Sequence, residues 1–116
     1  EARGFVFAAP VAVRLGVGFV PVRKPGKLPR DVHRQEYALE YGTDTLEIHS
    51  DAVSPGQRVL LVDDVLATGG TAGAAVALLR SVGATVVATS FLVELVGLGG
   101  RSRVPDVAVS SIVTYD

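Results

Sequence analysis

Residues 59–71 read Val59-Leu60-Leu61-Val62-Asp63-Asp64-Val65-Leu66-Ala67-Thr68-Gly69-Gly70-Thr71, and the fold class follows from them. The first four are apolar without a break, which predicts a strand covered on both faces, as in a parallel sheet. Two carboxylates follow at the predicted end of that strand, and a short loop with two glycines then leads into a predicted helix. This order of strand, loop and helix indicates an α/β fold whose site lies at the strand end.

The loop of residues 67–71 has the chemistry of a phosphate site. Backbone N–H groups at the start of a helix attract anions, and Thr68 and Thr71 add hydroxyl donors. The adjacent carboxylates of Asp63 and Asp64 suit sugar hydroxyls or a metal ion. Together these groups predict a phosphorylated sugar or a nucleotide as the ligand. The plainer alternative is a tight turn with a threonine at the helix N-cap, but such a turn does not need two adjacent acids.

Length and composition indicate a single α/β domain over residues 1–116. The chain is 48% hydrophobic, and its net charge of −1 argues against a nucleic-acid or membrane surface. The absence of cysteine excludes disulfides and a Cys-ligated zinc, and the two isolated histidines, His33 and His49, are interpreted as surface residues. With no long apolar run and no signal peptide in the sequence, we expect a cytoplasmic protein.

Opposite charges occupy neighbouring segments of the chain. Five basic residues with a single acid among them fall within twelve positions: Arg23, Lys24, Lys27, Arg30 and Arg34. The following residues, 36–51, carry five acids and neither lysine nor arginine. We interpret this pattern as local binding of an anion. For Lys27, Arg30 and Arg34 a solvated surface position is the alternative.

Apolar periodicity and turn residues predict the other elements. Before residues 59–71 we predict a buried helix over 4–15 that ends at Gly16, a short strand over 18–22 and a loop over 23–29. An irregular segment over 30–34 is expected next, followed by two strands, over 36–41 and 45–49, that form a β-hairpin flap. After residues 59–71 we predict a helix over 72–82 with Val76 and Leu79 on its buried face, and then a strand over 86–95. A loop or short helix over 97–103 and a last strand over 107–115 complete the chain. The order fits an open, mostly parallel sheet. Because no strand precedes the first helix, we expect the C-terminal portion of a longer protein.

Other nucleotide-site motifs do not fit this sequence. A P-loop requires a lysine after its glycines, and none follows Gly70. Residues 97–102 are rich in glycine, like a dinucleotide-binding fingerprint, but a short segment follows them instead of a βαβ unit. A response-regulator receiver has its paired acids near the N-terminus and a lysine further on, whereas this chain has no lysine after Lys27.

Residues 59–71 resemble the 5-phosphoribosyl-1-diphosphate (PRPP) signature of type I phosphoribosyltransferases. Residues 1–5 and 23–29 resemble the two pyrophosphate loops of that family, and residues 39–42 with 46–48 resemble its catalytic flap. Residues 92–95 with 98–101 resemble its late strand and loop. The resemblance covers nearly the whole chain, and the flap and basic loop make it most similar to the members that use adenine.

The resemblance implies transfer of the phosphoribosyl group of PRPP to adenine, which yields AMP and pyrophosphate through an oxocarbenium-like transition state. It further implies Mg²⁺ held chiefly by PRPP, with no direct protein ligand, and a homodimer. The implied sites are the phosphate loop (Ala67, Thr68, Gly69, Gly70, Thr71), ribose acceptors (Asp63, Asp64), pyrophosphate contacts (Arg3, Arg23, Lys24, Lys27), catalytic residues (Glu40, Arg3, Lys24), flap tyrosines (Tyr37, Tyr41) and an apolar base wall (Leu95).

Three points stay open in this interpretation. The family's purine-reading segment and first core strand are expected upstream of Glu1, so this chain is expected to lack them. Glu40 is implied as the acid that manages the purine proton, with an exposed strand acid as the alternative, and a core role is an alternative for Leu95. For the function, the alternatives are a regulator that senses PRPP or a nucleotide, or a transferase for xanthine, hypoxanthine or orotate.

Overall fold

The structure, a computed structural model, describes residues 1–39 and 41–116. Its elements in chain order are α1 (Ala2–Leu15), β1 (Val32–Ala38), β2 (Thr43–His49), β3 (Arg58–Leu66), α2 (Gly70–Ser81), β4 (Thr85–Leu95), two 3-10 turns (Val96–Leu98 and Gly100–Arg103) and β5 (Ala108–Tyr115). The predicted α/β class, with parallel core strands and a β-hairpin, is confirmed. The strands β3, β4 and β5 form a parallel sheet in that order, and β1 pairs antiparallel with β2.

The core lies where α2 meets the parallel sheet and the hairpin. Leu78 and Leu79 of α2 are almost fully buried, as predicted for Leu79, and they join one apolar cluster with Leu66 of β3 and Phe91 of β4. Ile48 of β2 closes the cluster from the hairpin side. Each such buried side chain contributes roughly 1.5–3 kcal/mol, so the hairpin is anchored to the domain by packing as well as by charge.

The strand β3 departs from its predicted environment in two ways. It was expected to be covered on both faces, yet Leu60 and Val65 are 38% and 39% exposed. The reason is its position, because among the described residues β3 pairs only with β4 and lies at the sheet edge. The strand also runs on to Leu66 through continued pairing with β4, so Asp63 and Asp64 lie shortly before its end rather than at the end itself.

The helix α1 was expected to be buried nearly all round, and this is wrong. Only Gly4 and Ala12 are buried, while Val6 and Val13 are 68% and 82% exposed. One face of α1 packs on β3, and the described residues provide no partner for the opposite face. Its predicted end is confirmed, since Gly16 adopts φ 68° and its N–H bonds the helix carbonyls.

The hairpin is confirmed, but its surroundings differ from the prediction. Residues 30–34 were expected to be irregular, whereas β1 begins at Val32 because it pairs with the far end of β2. Residues 18–22 were expected to form a strand, and they form none. In their place Arg23 makes an isolated bridge to β2, with Arg23 N donating to Glu47 O at 2.9 Å and Glu47 N donating to Arg23 O at 2.7 Å.

The two predicted surface histidines have different environments. His33 is exposed, as expected. His49 is half-buried at the end of β2, and its Nδ1 is buried without a hydrogen-bond partner among the described residues. The expectation for His49 is therefore wrong, because the strand carries this side chain toward the domain instead of into solvent.

Candidate active site

The loop between β3 and α2 forms a helix N-terminus that is open to an anion. Gly69 is the N-cap, with φ 86°, and no side chain caps the helix. The alternative of a threonine N-cap is thus excluded. The first N–H groups of α2 have no partner within the helix, and no acid lies in its first turn. Such an end carries a partial positive charge that stabilises a bound phosphate.

Glycine at position 69 is required for conformation and for space. A φ of 86° is costly for a residue with a side chain. A Cβ there would stand 2.4 Å from Gly100 O and 2.9 Å from Arg103 Cβ. The loop is therefore pressed against the second 3-10 turn, Gly100–Arg103, which sets the position of the phosphate loop.

The two adjacent carboxylates have different environments. Asp63 Oδ1 accepts a hydrogen bond from Asp64 N at 2.9 Å, and a Cβ on Gly4 would stand only 2.6 Å from that oxygen. Burial, with the neighbouring Asp64 charge adding to it, raises the pKa of the Asp63 carboxyl above its usual value, and the Asp64 N–H only partly offsets this. Asp63 therefore supports the local backbone, and Asp64 is the acid better placed to meet a ligand.

Arg3 lies beside the second of the two paired acids. Its Nε is 3.5 Å from Asp64 Oδ2, and its side chain is 89% exposed. The first turn of α1 thus presents this cation beside the carboxylate of Asp64. An ion pair so exposed contributes little to stability, which leaves the guanidinium available to an anionic ligand.

The basic and acidic segments pair with each other in this structure, which the sequence interpretation of local anion binding did not include. Lys24 Nζ donates to Tyr37 OH at 2.9 Å and to Asp44 Oδ2. Burial lowers the pKa of Lys24, but the hydrogen bonds to Asp44 and Tyr37 outweigh it and raise that pKa, while the same bond lowers the pKa of Asp44. Lys24 is held in place by the hairpin in this state.

Three other cations in the basic segment also have carboxylate partners. Arg34 lies 2.9 Å from the buried Glu47, Arg30 lies 3.3 Å from Asp51, and Arg23 lies 3.0 Å from Glu1. Glu47 in addition accepts the Gly26 N–H at 3.1 Å, so it holds the basic loop to β2. Lys27 is exposed.

Asp44 and Glu47 are the site-supporting residues that the sequence analysis missed. The available signal was the run of acids directly after the run of bases, which is also the pattern of two segments that neutralise each other. Strand alternation gave no such signal for Glu47, because its neighbours Leu46 and Ile48 are apolar and would place it on the opposite, exposed face, whereas the structure buries all three. An acid enclosed on both sides by buried residues requires a cation or donor as partner.

The predicted flap and base-wall residues have fewer contacts with the other candidate site residues. Tyr37 is half-buried and contacts Lys24, with Nζ 5.4 Å from the ring centroid, whereas Tyr41 is 87% exposed. Glu40, the proposed flap acid, lies outside the described residues. Leu95 is half-buried at the end of β4, so its role as a base wall stays a prediction.

One cavity of about 1060 Å³ brings many of the predicted groups together. It lies between α1 and β3, and its lining includes six predicted site residues: Arg3, Lys24, Asp63, Asp64, Ala67 and Thr71. Apolar side chains such as Phe5 and Phe19 line the rest. This is the arrangement of a ligand site, with a few convergent polar groups on an apolar wall.

Within residues 1–39 and 41–116, no group of three or more His, Cys, Asp or Glu side chains is arranged to hold a metal ion. None of the helices in the described part of the chain is long and apolar enough to cross a membrane.

Comparison with known proteins identifies the family. Residues 1–114 match the family described as "Phosphoribosyl transferase domain". The adenine phosphoribosyltransferase of Synechococcus sp. is 58% identical over 116 residues, which is 100% of this chain and 68% of that protein. The crystal structure of adenine phosphoribosyltransferase from Thermoanaerobacter pseudethanolicus superposes with a TM-score of 0.96 at 57% identity, covering 99% of this chain and 67% of that one.

A more distant structure adds ligands to the comparison. The Saccharomyces cerevisiae adenine phosphoribosyltransferase, complexed with an imino-altritol bisphosphate and adenine, has a TM-score of 0.92 at 45% identity, over 97% of this chain and 63% of that one. The present chain spans about two thirds of the length of these relatives, so roughly a third of each has no counterpart in it.

Proposed function

This chain belongs to the phosphoribosyl transferase domain family, and we propose that the protein transfers the 5-phosphoribosyl group of PRPP to adenine, giving AMP and pyrophosphate. The observation that carries the proposal is the cavity in which an open helix N-terminus, the Asp63–Asp64 pair and Arg3 line one space. Relatives at 58% identity with this activity support adenine as the acceptor.

The helix α2 binds the 5′-phosphate of PRPP. Its first N–H groups converge on the space before Gly70, and the helix dipole places about half a positive charge there. Thr68 and Thr71 add hydroxyl donors beside this end. Because the donors belong to backbone held by packing, they are oriented before the ligand arrives, which reduces the entropic cost of binding.

Asp64 accepts hydrogen bonds from the ribose hydroxyls, and Asp63 holds the backbone that presents it. Loss of pyrophosphate from C1′ creates positive charge on the sugar ring. The carboxylate charge of Asp64 then stabilises the ring more strongly in the transition state than in the ground state, which is the condition for a rate increase.

Arg3 and Lys24, with Arg23 and Lys27 in support, bind the leaving pyrophosphate. Lys24 is paired with Asp44 before the substrate binds, so it exchanges that carboxylate for a phosphate oxygen. Mg²⁺ bound with PRPP would supply further positive charge at the leaving pyrophosphate.

The hairpin β1–β2 closes over the reactants and excludes water. Tyr37 and Tyr41 belong to it, and Glu40 is proposed to manage the purine N–H proton. Leu95 is proposed as part of the wall against the base. We further propose a homodimer in the cytoplasm, as the family resemblance implies.

The proposal is tested by incubating the protein with adenine, PRPP and Mg²⁺ and separating nucleotides by chromatography. We expect AMP and pyrophosphate in equal amounts. Parallel reactions with hypoxanthine, xanthine and orotate determine the base, and adenine should be preferred. Binding of PRPP without any AMP formation would refute the transferase proposal and favour a sensor of PRPP.

A further inference from the structure

An ion pair with a buried carboxylate ties the second 3-10 turn to the parallel sheet. Glu94, at the end of β4, is only 4% exposed. Arg101 donates two hydrogen bonds to its carboxylate, from Nε to Oε2 and from Nη2 to Oε1, each at 2.8 Å. Ser111 of β5 donates its hydroxyl to Oε1 at 2.8 Å. A third nitrogen of Arg101 donates to Val109 O at 3.2 Å. Two parallel bonds to one carboxylate fix the guanidinium in position as well as in distance.

The turn held by this pair forms the back of the phosphate loop. Gly100, the residue next to Arg101, approaches so closely that a Cβ on it would stand 2.5 Å from Ala67 O and 2.8 Å from Leu66 Cδ1. From the other side, a Cβ on Gly69 would stand 2.4 Å from Gly100 O. The two backbones are in direct contact at these glycines, so a shift of the turn moves the loop.

The guanidinium of Arg101 is held by the protein itself, although its side chain is 53% exposed. Its three nitrogens bond Glu94 and Val109 O, on the sheet side of the turn. Neither Arg101 nor Glu94 lines the cavity that holds Asp64 and Thr71. Any effect of this pair on the phosphate must therefore pass through the backbone of the turn.

We propose that the Glu94–Arg101 pair is a positioning device for the phosphate loop: it holds Gly100 against Ala67 and Gly69 so that the N–H groups at the start of α2 are preorganised for the phosphate of the substrate. This inference rests on the proposed function for the identity of that substrate. It adds Glu94, Gly100 and Arg101 to the residues on which PRPP binding depends, although none of them lines the cavity that contains Asp64 and Thr71.

The variants must separate positioning from a loss of folding. Arg101→Gln alone leaves the buried Glu94 carboxylate with Ser111 as its remaining side-chain donor, which is destabilising. The double variant Glu94→Gln/Arg101→Gln removes both charges and avoids that penalty. Arg101→Lys keeps the charge but cannot form the paired bonds. Gly100→Ala leaves the ion pair intact and displaces the contact with the loop directly.

The matched control is Arg80→Gln. Arg80 forms an ion pair with Asp106 at 3.0 Å, both side chains are largely exposed, and Arg80 lies at the opposite end of α2 from the phosphate loop. The substitution removes the same charge and an ion pair of similar length. A general effect of lost charge would appear in this control as well.

The experiment measures KM for PRPP, KM for adenine and kcat, together with the affinity for inorganic phosphate from the Gly69 and Gly70 amide shifts by NMR. In the folded double variant and in Gly100→Ala we expect KM for PRPP to rise about tenfold or more, phosphate affinity to fall in parallel, and KM for adenine to change by less than about twofold. For Arg101→Lys, KM for PRPP and the affinity for phosphate should both lie between those of the wild type and the double variant.

Two results would overturn the inference. One is a folded double variant with wild-type KM for PRPP and wild-type phosphate affinity. The other is a loss that appears equally in Arg80→Gln or that is accounted for by the unfolded fraction. The phosphate arm needs no turnover, so a protein that makes no AMP refutes the proposed function while the amide shifts still decide whether the pair positions the loop.

Discussion

Replacing Asp64 with asparagine tests the ribose site with little risk to the fold. The two side chains have the same shape, and the main contact that is lost is the ion pair with Arg3 at 3.5 Å. Because the Arg3 side chain is 89% exposed, that pair is worth less than about 1 kcal/mol. We therefore expect the melting temperature of Asp64→Asn to stay close to that of the wild type.

The effect on catalysis should be much larger. A hydrogen bond to a charged group contributes about 1.5–3 kcal/mol, and the carboxylate of Asp64 is proposed to accept such bonds from the ribose. The substitution should lower kcat/KM for PRPP by about 10- to 150-fold. Initial rates of AMP formation at varied PRPP and saturating adenine give this value, and KM for adenine should change little.

Asp63→Asn is the matched comparison at the neighbouring position. An asparagine Oδ1 still accepts the Asp64 N–H, and the substitution removes a carboxylate whose pKa is raised by burial. A raised carboxyl pKa means that the charged form costs stability above the unfolded pKa, so Asp63→Asn should be as stable as wild type or more so at neutral pH. Its loss of kcat/KM should be the smaller of the two. Unchanged kinetics in Asp64→Asn, or a larger loss in Asp63→Asn, would refute this division of roles.

Three further outcomes are expected. Gly69→Ala should weaken PRPP binding more than adenine binding, measured as the two KM values, because a Cβ at φ 86° would also meet Gly100 O at 2.4 Å; an unchanged KM for PRPP would contradict this. The hydrogen bonds from Arg101 are the main reason that the pKa of Glu94 is lowered from 4.5 to about 2. Because the folded-state pKa is lowered, Glu94 contributes about 1–3 kcal/mol to the free energy of unfolding above pH 4.5, and this contribution disappears as the pH falls through 2. Urea unfolding of Glu94→Gln should thus show a deficit at pH 7 that shrinks below pH 4.5, and a deficit independent of pH would argue against the pair. Glu40→Gln should lower kcat more than PRPP affinity if Glu40 manages the purine proton, and the reverse pattern in steady-state kinetics would remove it from that role.

The pairing of the basic and acidic segments has a mechanistic consequence. Lys24 is bonded to Asp44 and Tyr37 of the hairpin, so a cation proposed for pyrophosphate is also a tether of the flap. A ligand that competes for Lys24 loosens the hairpin at the same moment. If pyrophosphate takes Lys24 from Asp44 as proposed, this bond to the hairpin is lost, while the packing of Ile48 in the core still anchors the hairpin.

Elements with strong local signals were predictable from the sequence. The apolar run at the start of residues 59–71 predicted β3, and the glycine-rich end of that stretch predicted the start of α2, because both signals lie in adjacent residues. The hairpin and the end of α1 at Gly16 were predictable for the same reason. Weak signals failed at residues 18–22 and 30–34, where pairing with β2 determined which segment became a strand.

By itself the sequence determined the α/β class and the strand, loop and helix of residues 59–71 that carry many of the candidate site residues, because these depend on side chains that are neighbours in the chain. Only the tertiary structure decided how those residues are used. Lys24 and Asp44 meet across 20 positions, and Ser111 reaches Glu94 across 17. Burial made Asp63 and Asp64 different although they are adjacent and identical in type. Such differences arise from desolvation and from partners brought together by packing, which no local pattern contains.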